Sequence, residues 1–326
     1  MSLILAVIGM NGRSFNMGTI INGKELSENI LTDIKNELSK FGDEEFDLIV
    51  ITIGDDPASK VYVNNKKKAC EKVGLRFHNE CFSKKDNFWD ISHYIEELNQ
   101  SENVKGIILQ LPIVSDVLTD GEKQKLTKMI SPSKDVDGFL SNSAFTPCTP
   151  KGILRLLDTV RTQDGNGRIA LVIGRSDIVG KPIAKLLLDR NYTVIQAHSK
   201  TQKERLLRLF SIADVIISAV GKPNLITEED AYQYFKDNRH DFYGNLENKK
   251  DRVIIDVGIN RDSEGKLCGD FSEEFKQKYS EYYTPVPGGV GPMTVAMLIE
   301  NTYESISKIS GILKALHRLY KQCDTK

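Results

Sequence analysis

The sequence predicts an α/β protein of two domains, each built on a parallel β-sheet with helices on both faces. The first observation is the pattern: short apolar runs rich in β-branched residues alternate with segments of helical periodicity. Strands that alternate with helices form parallel sheets that helices cover on both sides. The second observation is the length of 326 residues, which corresponds to about two domains.

The first half contains two predicted buried strands, residues 46–54 and 104–112, each bounded by turn-forming residues. Asp56 and Pro57 form a favourable helix start, with the aspartate as cap and the proline in the first turn. A helix that begins there is predicted to end near Gly74. Helical patterns precede, separate and follow the two strands.

The second half contains four further apolar runs that are predicted as strands. The domain boundary is predicted within residues 146–152, where two prolines precede a helical pattern. The two domains are accordingly placed at residues 18–147 and 148–299. The four predicted strands are residues 169–174, 193–197, 215–221 and 253–258.

The end of the chain, from Val290 to about residue 320, repeats apolar residues at helical spacing. This helix is predicted to return to the first domain, to which residues 300–326 are assigned. Residues 227–252 are long and polar for a simple connection, so they are predicted as an inserted helix and loop.

Residues 1–17 are predicted to be a leader outside both domains. Their apolar patch is too short to span a bilayer, and Arg13, their basic residue, follows the patch instead of preceding it. That order argues against a secretory signal. A short organellar presequence and a true start at Met17 both remain open, and the favoured location is the cytoplasm.

The composition favours a small-molecule partner. A net charge of -1 with both signs interspersed predicts neither a nucleic-acid footprint nor a charged tail. No membrane partner is predicted either. The five cysteines lack Cys-x-x-Cys or Cys/His ligand spacing, so the sequence predicts a reducing compartment and no metal site.

A glycine-containing turn joins the predicted strand that begins at residue 169 to the following helix. The turn begins with Gly174, Arg175 and Ser176 and ends with Gly180. Free backbone N–H groups and the positive end of a helix suit a pyrophosphate group there. Serine replaces the second glycine of Gly-x-Gly-x-x-Gly, so the prediction depends on the position of the turn between a strand and a helix.

The next predicted strand ends at His198 and Ser199, without the carboxylate that usually holds the ribose of NAD. Together with Arg175 in the turn, this ending favours a 2′-phosphate and predicts NADP as the cofactor. The alternative interpretation is that Arg175 is a solvated surface residue.

Lys66 interrupts an otherwise apolar stripe on a predicted helix of the first half. Tyr62, Ala69, Cys70 and Val73 lie on the same face at helical spacing. One interpretation is a lysine whose stem covers apolar surface while its ammonium reaches solvent. The other is a partly desolvated lysine that is suited to proton transfer.

Three further segments carry candidate ligand-binding groups. Gln110 lies with Leu111 at the carboxyl end of a predicted strand, where parallel sheets present such groups, although a glutamine there can also serve only the backbone. Residues 134–138 place two carboxylates, one of them Asp137, in a turn, where aspartates also make local hydrogen bonds. Residues 284–294 contain three prolines and three glycines and predict either an ordinary connection or a rigid loop shaped around a ligand.

These motifs occur together in one order. They closely resemble the bifunctional methylenetetrahydrofolate dehydrogenase/methenyltetrahydrofolate cyclohydrolase family over about residues 18–309. The motifs that carry the resemblance are Tyr-Val-Asn-Asn-Lys at 62–66, Gln-Leu-Pro at 110–112, Lys-Asp-Val-Asp-Gly at 134–138, Pro-Cys-Thr-Pro-Lys-Gly at 147–152, Gly-Arg-Ser at 174–176, Gly-Lys-Pro at 180–182 and the run at 284–294.

The resemblance implies a three-layer α/β folate-binding domain, a Rossmann-like NADP-binding domain and a homodimer with a folate cleft between the two domains of each chain. It implies that Tyr62 stacks on the aminobenzoate ring and that Asp137 holds the pterin. Lys66 would be the key cyclohydrolase residue, and Gln110 would orient it. The other implied contacts are Leu111, Pro287, Gly288 and Gly289 for the folate and Gly174, Arg175, Ser176, His198, Ser199 and Ile259 for NADP.

The activity that the resemblance implies has two steps. Hydride moves from methylenetetrahydrofolate to NADP, and water then converts the methenyl cation to 10-formyltetrahydrofolate. Some members of the family lack the tyrosine or the lysine and are dehydrogenases only, whereas this chain has both. A monofunctional dehydrogenase and a dinucleotide-binding scaffold without turnover are the alternative hypotheses.

Overall fold

The computed structural model describes residues 18–161, 163–237 and 251–323. The predicted leader at 1–17 and residues 238–250 of the predicted insertion lie outside these residues. The chain divides into two compact units. The first unit comprises Gly23–Leu156 with the chain from Val290 onward, and the second unit comprises the chain up to Asn22 with Leu157–Gly289.

Both units have the predicted α/β architecture, because strands alternate with helices along most of the chain. A short 3₁₀ helix, Ser39–Phe41, follows the first α-helix. In chain order the elements are β1 (Thr19–Ile20), α1 (Gly23–Leu38), β2 (Asp47–Ile53), α2 (Pro57–Val73), β3 (Arg76–Phe82), α3 (Phe88–Gln100), β4 (Val104–Leu109), α4 (Asp120–Met129), α5 (Cys148–Asp158), β5 (Ile169–Ile173), α6 (Gly180–Leu188), β6 (Thr193–Ala197), α7 (Lys203–Ile212), β7 (Val215–Ser218), α8 (Glu228–Asp237), β8 (Val253–Asp256), β9 (Asn260–Arg261), β10 (Leu267–Cys268), α9 (Glu273–Tyr279), β11 (Tyr282–Tyr283) and α10 (Val290–Cys323).

The first unit is built on a parallel sheet with the strand order β3-β2-β4. Asp47 of β2 pairs with Arg76 of β3 on one side and with Val104 of β4 on the other. The central strand β2 is buried almost throughout, and its isoleucines pack with apolar residues of α3 and α4. The strands predicted at 46–54 and 104–112 are confirmed as β2 and β4.

Strand β3 is not among the strands that the sequence predicts. It forms the edge of the sheet, and most of its side chains are exposed. Polar residues are acceptable on an exposed edge strand, so no apolar run marks its position in the sequence.

Helix α2 begins and ends where the sequence predicts. The Asp56 carboxylate accepts a hydrogen bond from the Ser59 backbone N–H at 2.7 Å, and Gly74 ends the helix with φ of 88°. The predicted apolar stripe is buried only in its second half, at residues 69, 70 and 73. Tyr62 remains 42% exposed, which leaves its ring accessible to a ligand.

The division into units differs from the predicted domains at three places, one of which is the segment 18–22 at the start of the predicted first domain. The predicted second domain includes residues 148–156 and 290–299, yet both segments belong to the first unit. The reason is that α5 and α10 bond to each other: the hydroxyls of Thr149 and Thr294 lie 3.0 Å apart, and Lys151 donates to Asn301 at 2.8 Å. The last helix also packs on α1, within the same unit.

The second unit is built on a parallel sheet with the strand order β1-β11-β8-β7-β5-β6. Its strands β5, β6, β7 and β8 are the four strands that the sequence predicts in the second half. The two-residue strands β1 and β11 are too short for a sequence signal, and β1 brings residues 19–20 into this unit instead of the predicted first domain. Apolar residues of α7 and α9 pack against the sheet to form the core, including Phe210, Phe275 and Tyr279.

The described residues contain no helix that is both long and apolar enough to cross a membrane. Within the same parts of the chain, no group of three or more His, Cys, Asp or Glu side chains is arranged to bind a metal ion. Cys70 and Cys148 are buried free thiols, whereas Cys81 is exposed.

Candidate functional site

Lys66 and Gln110 are in direct contact in the first unit. The Lys66 ammonium donates a hydrogen bond to the Gln110 Oε1 atom at 2.9 Å. Gln110 follows β4 and is fixed at two further points, because its backbone N–H donates to Ile51 O and its side-chain amide donates to Leu111 O, both at 2.8 Å. The lysine is therefore oriented by an amide that is itself held in place.

Asp137 belongs to the same site. Burial raises the pKa of its carboxyl group, and the nearby Lys66 ammonium acts in the opposite direction. Its turn is fixed by Asp135, whose buried carboxylate accepts from the Leu140 backbone N–H at 2.9 Å. The structure thus brings together Lys66, Gln110 and Asp137, which lie far apart in the sequence.

Tyr62 and Leu111 border this group with exposed side chains. Tyr62 precedes Lys66 by one helical turn on α2, so the two side chains lie on neighbouring positions of one helix face. Leu111 is 43% exposed and is joined to Pro112 by a cis peptide bond. An aromatic ring, an ammonium and a carboxyl group can together bind a flat polar molecule.

The two buried thiols near this site are not suited to act as nucleophiles. Burial raises the pKa of the Cys70 thiol to about 12 and that of the Cys148 thiol well above its ordinary value. The charge of Asp137 adds to the effect at Cys148. Because the thiolate is the reactive form, both groups serve packing.

Asn301 of α10 supports the Asp137 turn and was not predicted from the sequence. Its buried side-chain amide donates to Val136 O at 2.8 Å and to Thr146 O at 3.0 Å. Lys151 donates to the oxygen of the same amide at 2.8 Å. The sequence signal that could have identified Asn301 is its position as a polar residue on the apolar face of a helix.

The predicted phosphate-binding turn lies at the carboxyl end of β5 in the second unit. Gly174 has φ of 132°, and a Cβ atom there would meet Ala219 O at 2.5 Å, so a side chain is excluded. The Ser176 hydroxyl accepts from the backbone N–H groups of Val179 and Gly180, both at 3.3 Å. Helix α6 begins at Gly180, and its first N–H groups are held within the turn, since Gly180 donates to the Ser176 hydroxyl and Lys181 donates to Ser176 O at 3.0 Å.

The end of β6 lies beside this turn, because Ile173 pairs with Ala197 and the Gly174 N–H donates to Ala197 O at 2.9 Å. His198 has its Nδ1 atom occupied by the Lys200 backbone N–H at 3.2 Å. The side chains of Arg175, Ser199 and Lys200 are exposed. Residues 198–201 contain no carboxylate, so the edge of the site fits the 2′-phosphate of NADP.

Ile259 and the predicted proline–glycine loop follow β8 and β11 respectively. Ile259 is 52% exposed, so its side chain is accessible to a ligand. The loop starts at the fully buried Thr284, contains a cis peptide bond before Pro287, and passes through Gly288 with φ of 107°. A β-branched or bulky residue at 288 would be strained.

A buried network of carboxylates in the second unit is a second feature that the sequence analysis missed. Asp270 accepts from the Ser218 hydroxyl at 2.6 Å and from the Lys222 backbone N–H at 2.9 Å. Asp256 accepts from the backbone N–H groups of Asp270 and Phe271 at 2.9 and 3.0 Å. These bonds tie the carboxyl ends of β7 and β8 to the segment around β9 and β10.

The parallel sheet of the second unit, with a turn that starts at Gly174 between β5 and α6, is the architecture of an α/β dinucleotide-binding domain. Profiles of protein families give the same class in more detail. The profile described as tetrahydrofolate dehydrogenase/cyclohydrolase, catalytic domain, matches residues 21–137, and the profile of the corresponding NAD(P)-binding domain matches residues 147–234 and 242–310. The chain therefore belongs to the tetrahydrofolate dehydrogenase/cyclohydrolase family, and the resemblance and fold class predicted from the sequence are confirmed.

Individual relatives agree with this assignment. The bifunctional protein FolD of Agathobacter rectalis is 40% identical over 303 residues, which cover 90% of this chain and 100% of that protein. The FolD crystal structure from Campylobacter jejuni has a TM-score of 0.76 at 38% identity and covers 89% of this chain and 99% of its own. The Trypanosoma brucei FolD structure, solved with NADP and an inhibitor, has a TM-score of 0.77 at 28% identity over 90% of this chain and 99% of its own.

Proposed function

We propose that the protein oxidises methylenetetrahydrofolate with NADP and hydrolyses the methenyl product to 10-formyltetrahydrofolate. The observation that carries the proposal is the contact between Lys66 and Gln110, with Asp137 close enough for its pKa to respond to the lysine. A dehydrogenase alone does not need an oriented lysine. The relatives support both activities, since they are described as bifunctional and one of them was solved with NADP.

The dehydrogenase step depends on alignment of two bound molecules. NADP, when bound, supplies the acceptor for the hydride that leaves the methylene carbon. We assign the Tyr62 ring to stacking on the aminobenzoate and the Asp137 carboxyl to the polar edge of the pterin. Leu111 and residues 287–289 complete the folate contacts, and Gly174, Arg175, Ser176, His198, Ser199 and Ile259 hold the cofactor. Such binding groups lower the barrier by orientation, without an acid or base.

The cyclohydrolase step uses Lys66. Water attacks the methenyl carbon and loses one proton, which leaves a hydroxyl on that carbon. The bond from the carbon to N5 then breaks as N5 takes up a proton and the hydroxyl loses its own to form the formyl C=O, so that one proton is released overall. The Lys66 Nζ atom is assigned to position the water and relay these protons, and the Gln110 amide keeps it directed at the reacting carbon. The Asp137 carboxyl group lies near the same ammonium and can offset the charge of the methenyl cation.

Lys66→Ala tests this assignment against the monofunctional alternative. The variant is expected to retain dehydrogenase activity and to lose cyclohydrolase activity by at least about 100-fold, the range typical of a proton-transfer group. The measurement follows reduced cofactor and methenyl absorbance together, with methenyltetrahydrofolate also supplied directly. Lys68→Ala is the matched control, because Lys68 is an exposed lysine on the same helix.

Two outcomes contradict the proposal. If wild-type protein converts the methenyl product to the formyl product no faster than buffer does, it is a monofunctional dehydrogenase. Undiminished hydrolysis by Lys66→Ala removes the role of the lysine.

A homodimer and a cytoplasmic location complete the proposal. The resemblance to the family implies the homodimer, and the scattered cysteines favour a reducing, cytosol-like compartment. Light scattering of the purified protein measures its oligomeric state, and a monomer would contradict the homodimer. Cell fractionation measures its location, and recovery in an organelle would contradict the cytoplasmic assignment.

A further inference from the structure

Lys276 is a fully buried lysine on α9 that the proposed reaction does not use. Its side chain is 0% exposed, although lysine is rarely buried unless it is paired. Its ammonium donates to Glu273 Oε1 at 2.5 Å and to Thr284 O at 2.9 Å. A buried ammonium group is stable only if its acceptors are held in fixed positions around it, so the contacts of Lys276 indicate that its partners are held in place.

The partners of Lys276 all belong to the start of the proline–glycine loop or to its support. The Glu273 carboxylate that binds Lys276 also accepts from the Val286 backbone N–H at 3.3 Å. The Thr284 hydroxyl accepts from the Asp256 backbone N–H at 2.8 Å. The loop is thus fixed by polar bonds at residues 284 and 286, directly before Pro287.

Electrostatics explain why a lysine can occupy the position. The buried Asp256 carboxylate lies 3.9 Å from the Lys276 ammonium, and Glu273 provides a second negative charge. Burial raises the pKa of Asp256 to about 6, while the ammonium acts in the opposite direction. An apolar side chain would fill the same space but would leave the Thr284 carbonyl and the Glu273 carboxylate without their shared donor.

We propose that Glu273 and Lys276 form a clamp that positions residues 284–289 for the folate substrate. Both are positioning residues, because they contact the backbone of the loop and not the reacting atoms. The inference rests on the proposed function, since it takes residues 287–289 as folate contacts.

The test uses Glu273, because replacing Lys276 would leave Asp256 buried without its cation. The Glu273 side chain is 40% exposed, so its loss is compatible with folding. Glu273→Ala is expected to raise the KM for methylenetetrahydrofolate about fivefold, the effect of one net hydrogen bond, and to leave the KM for NADP unchanged. Glu273→Gln keeps an oxygen for the Val286 N–H and should restore a KM close to wild type.

Glu274→Ala is the matched control, because Glu274 is the exposed neighbour on the same helix. A purely structural defect would reduce the amount of active enzyme and lower kcat while both KM values stayed constant. The proposal is overturned if Glu273→Ala has an unchanged KM for methylenetetrahydrofolate, if the KM for NADP rises equally, or if Glu274→Ala has the same effect. Wild-type protein without dehydrogenase activity would instead refute the proposed function.

Discussion

Asp137 and Lys66 illustrate how two side chains determine each other's chemistry at the residue scale. Burial alone raises the pKa of the Asp137 carboxyl group, and the Lys66 ammonium partly reverses that effect. Removal of the ammonium in Lys66→Ala therefore alters Asp137 as well. The loss of cyclohydrolase activity in that variant therefore has two causes: the proton relay is missing, and the Asp137 carboxyl group ionises at a higher pH. Lys66→Arg separates the two effects, because it retains the positive charge near Asp137.

Arg175 is the residue of the predicted phosphate-binding turn that we propose selects the cofactor. Arg175 is exposed and follows β5, whose last residue pairs with the last residue of β6, and a 2′-phosphate bound there would gain a charged hydrogen bond from a guanidinium. Arg175→Ala is expected to raise the KM for NADP by about 10- to 100-fold and to leave the KM for NAD nearly unchanged. Steady-state kinetics with each cofactor measure the two values.

Lys185→Ala is the control for Arg175, since Lys185 is an exposed base on α6 that pairs with Asp189 and faces no proposed phosphate. Equal losses with both cofactors would contradict a role for Arg175 in binding the 2′-phosphate and would point to the shared pyrophosphate instead.

At the scale of elements, α2 is the helix on which the proposed folate chemistry depends. It carries both Tyr62 and Lys66, and its start is fixed by Asp56, whose carboxylate binds the backbone N–H and the hydroxyl of Ser59, both at 2.7 Å. The first turn therefore sets the direction of the two functional side chains.

Asp56→Ala is expected to weaken this helix start. The free energy of unfolding should fall by about 1 kcal/mol, the usual cost of losing a side-chain cap. Hydrogen exchange should accelerate at the amides of residues 59–62, and urea unfolding followed by circular dichroism gives the free energy. Asp55→Ala, which removes an exposed partner of Lys60, should change neither quantity; an equal effect in both variants would show that the cap is unimportant.

Sequence patterns were sufficient for elements whose signal is local. The buried strands β2, β4 and β5 to β8 appear as apolar runs, and α2 is marked by Asp56 and Gly74. Strand β3 escaped because an edge strand tolerates polar residues. For the site, Lys66 was identified as a lysine on an apolar helix stripe and Gln110 as a polar residue at the end of a strand, and the structure adds the bond between them.

Supporting residues could not be predicted in the same way, because their partners are distant in sequence. Asn301 binds Val136, which is 165 residues away, and Asp270 binds Ser218, which is 52 residues away. Neither residue belongs to a motif that suggests a ligand. Only the folded chain reveals that a polar residue of an apolar helix face supports the turn of Asp137.

At the scale of the whole molecule, local breaks in the sequence do not mark the limits of the units. The chain passes from one unit to the other after Asn22, Leu156 and Gly289. The prolines near residue 147 mark the start of α5, whereas the unit ends nine residues later because α5 bonds to α10 within the first unit. Long-range contacts, and not helix starts, define a cooperative unit.

Protonation of Asp256 is expected to make the free energy of unfolding depend on pH. Burial raises its pKa from 3.8 to about 6, so the folded state keeps a proton that the unfolded state releases between these values. By linkage, the free energy of unfolding should fall by an amount on the order of 3 kcal/mol as the pH rises from about 4 to about 6, and this stabilisation is absent at higher pH.

Asp256→Asn removes the titration of this side chain and so tests the prediction. Urea unfolding of both proteins across this range measures the difference in slope, in which the common contributions of other carboxylates cancel. The variant is expected to be less stable at every pH, because its amide NH₂ group replaces one of the two carboxylate oxygens and then faces the N–H donor of either Asp270 or Phe271. Parallel curves for the two proteins would show that Asp256 stays ionised throughout, as a stronger ion pair with Lys276 would require.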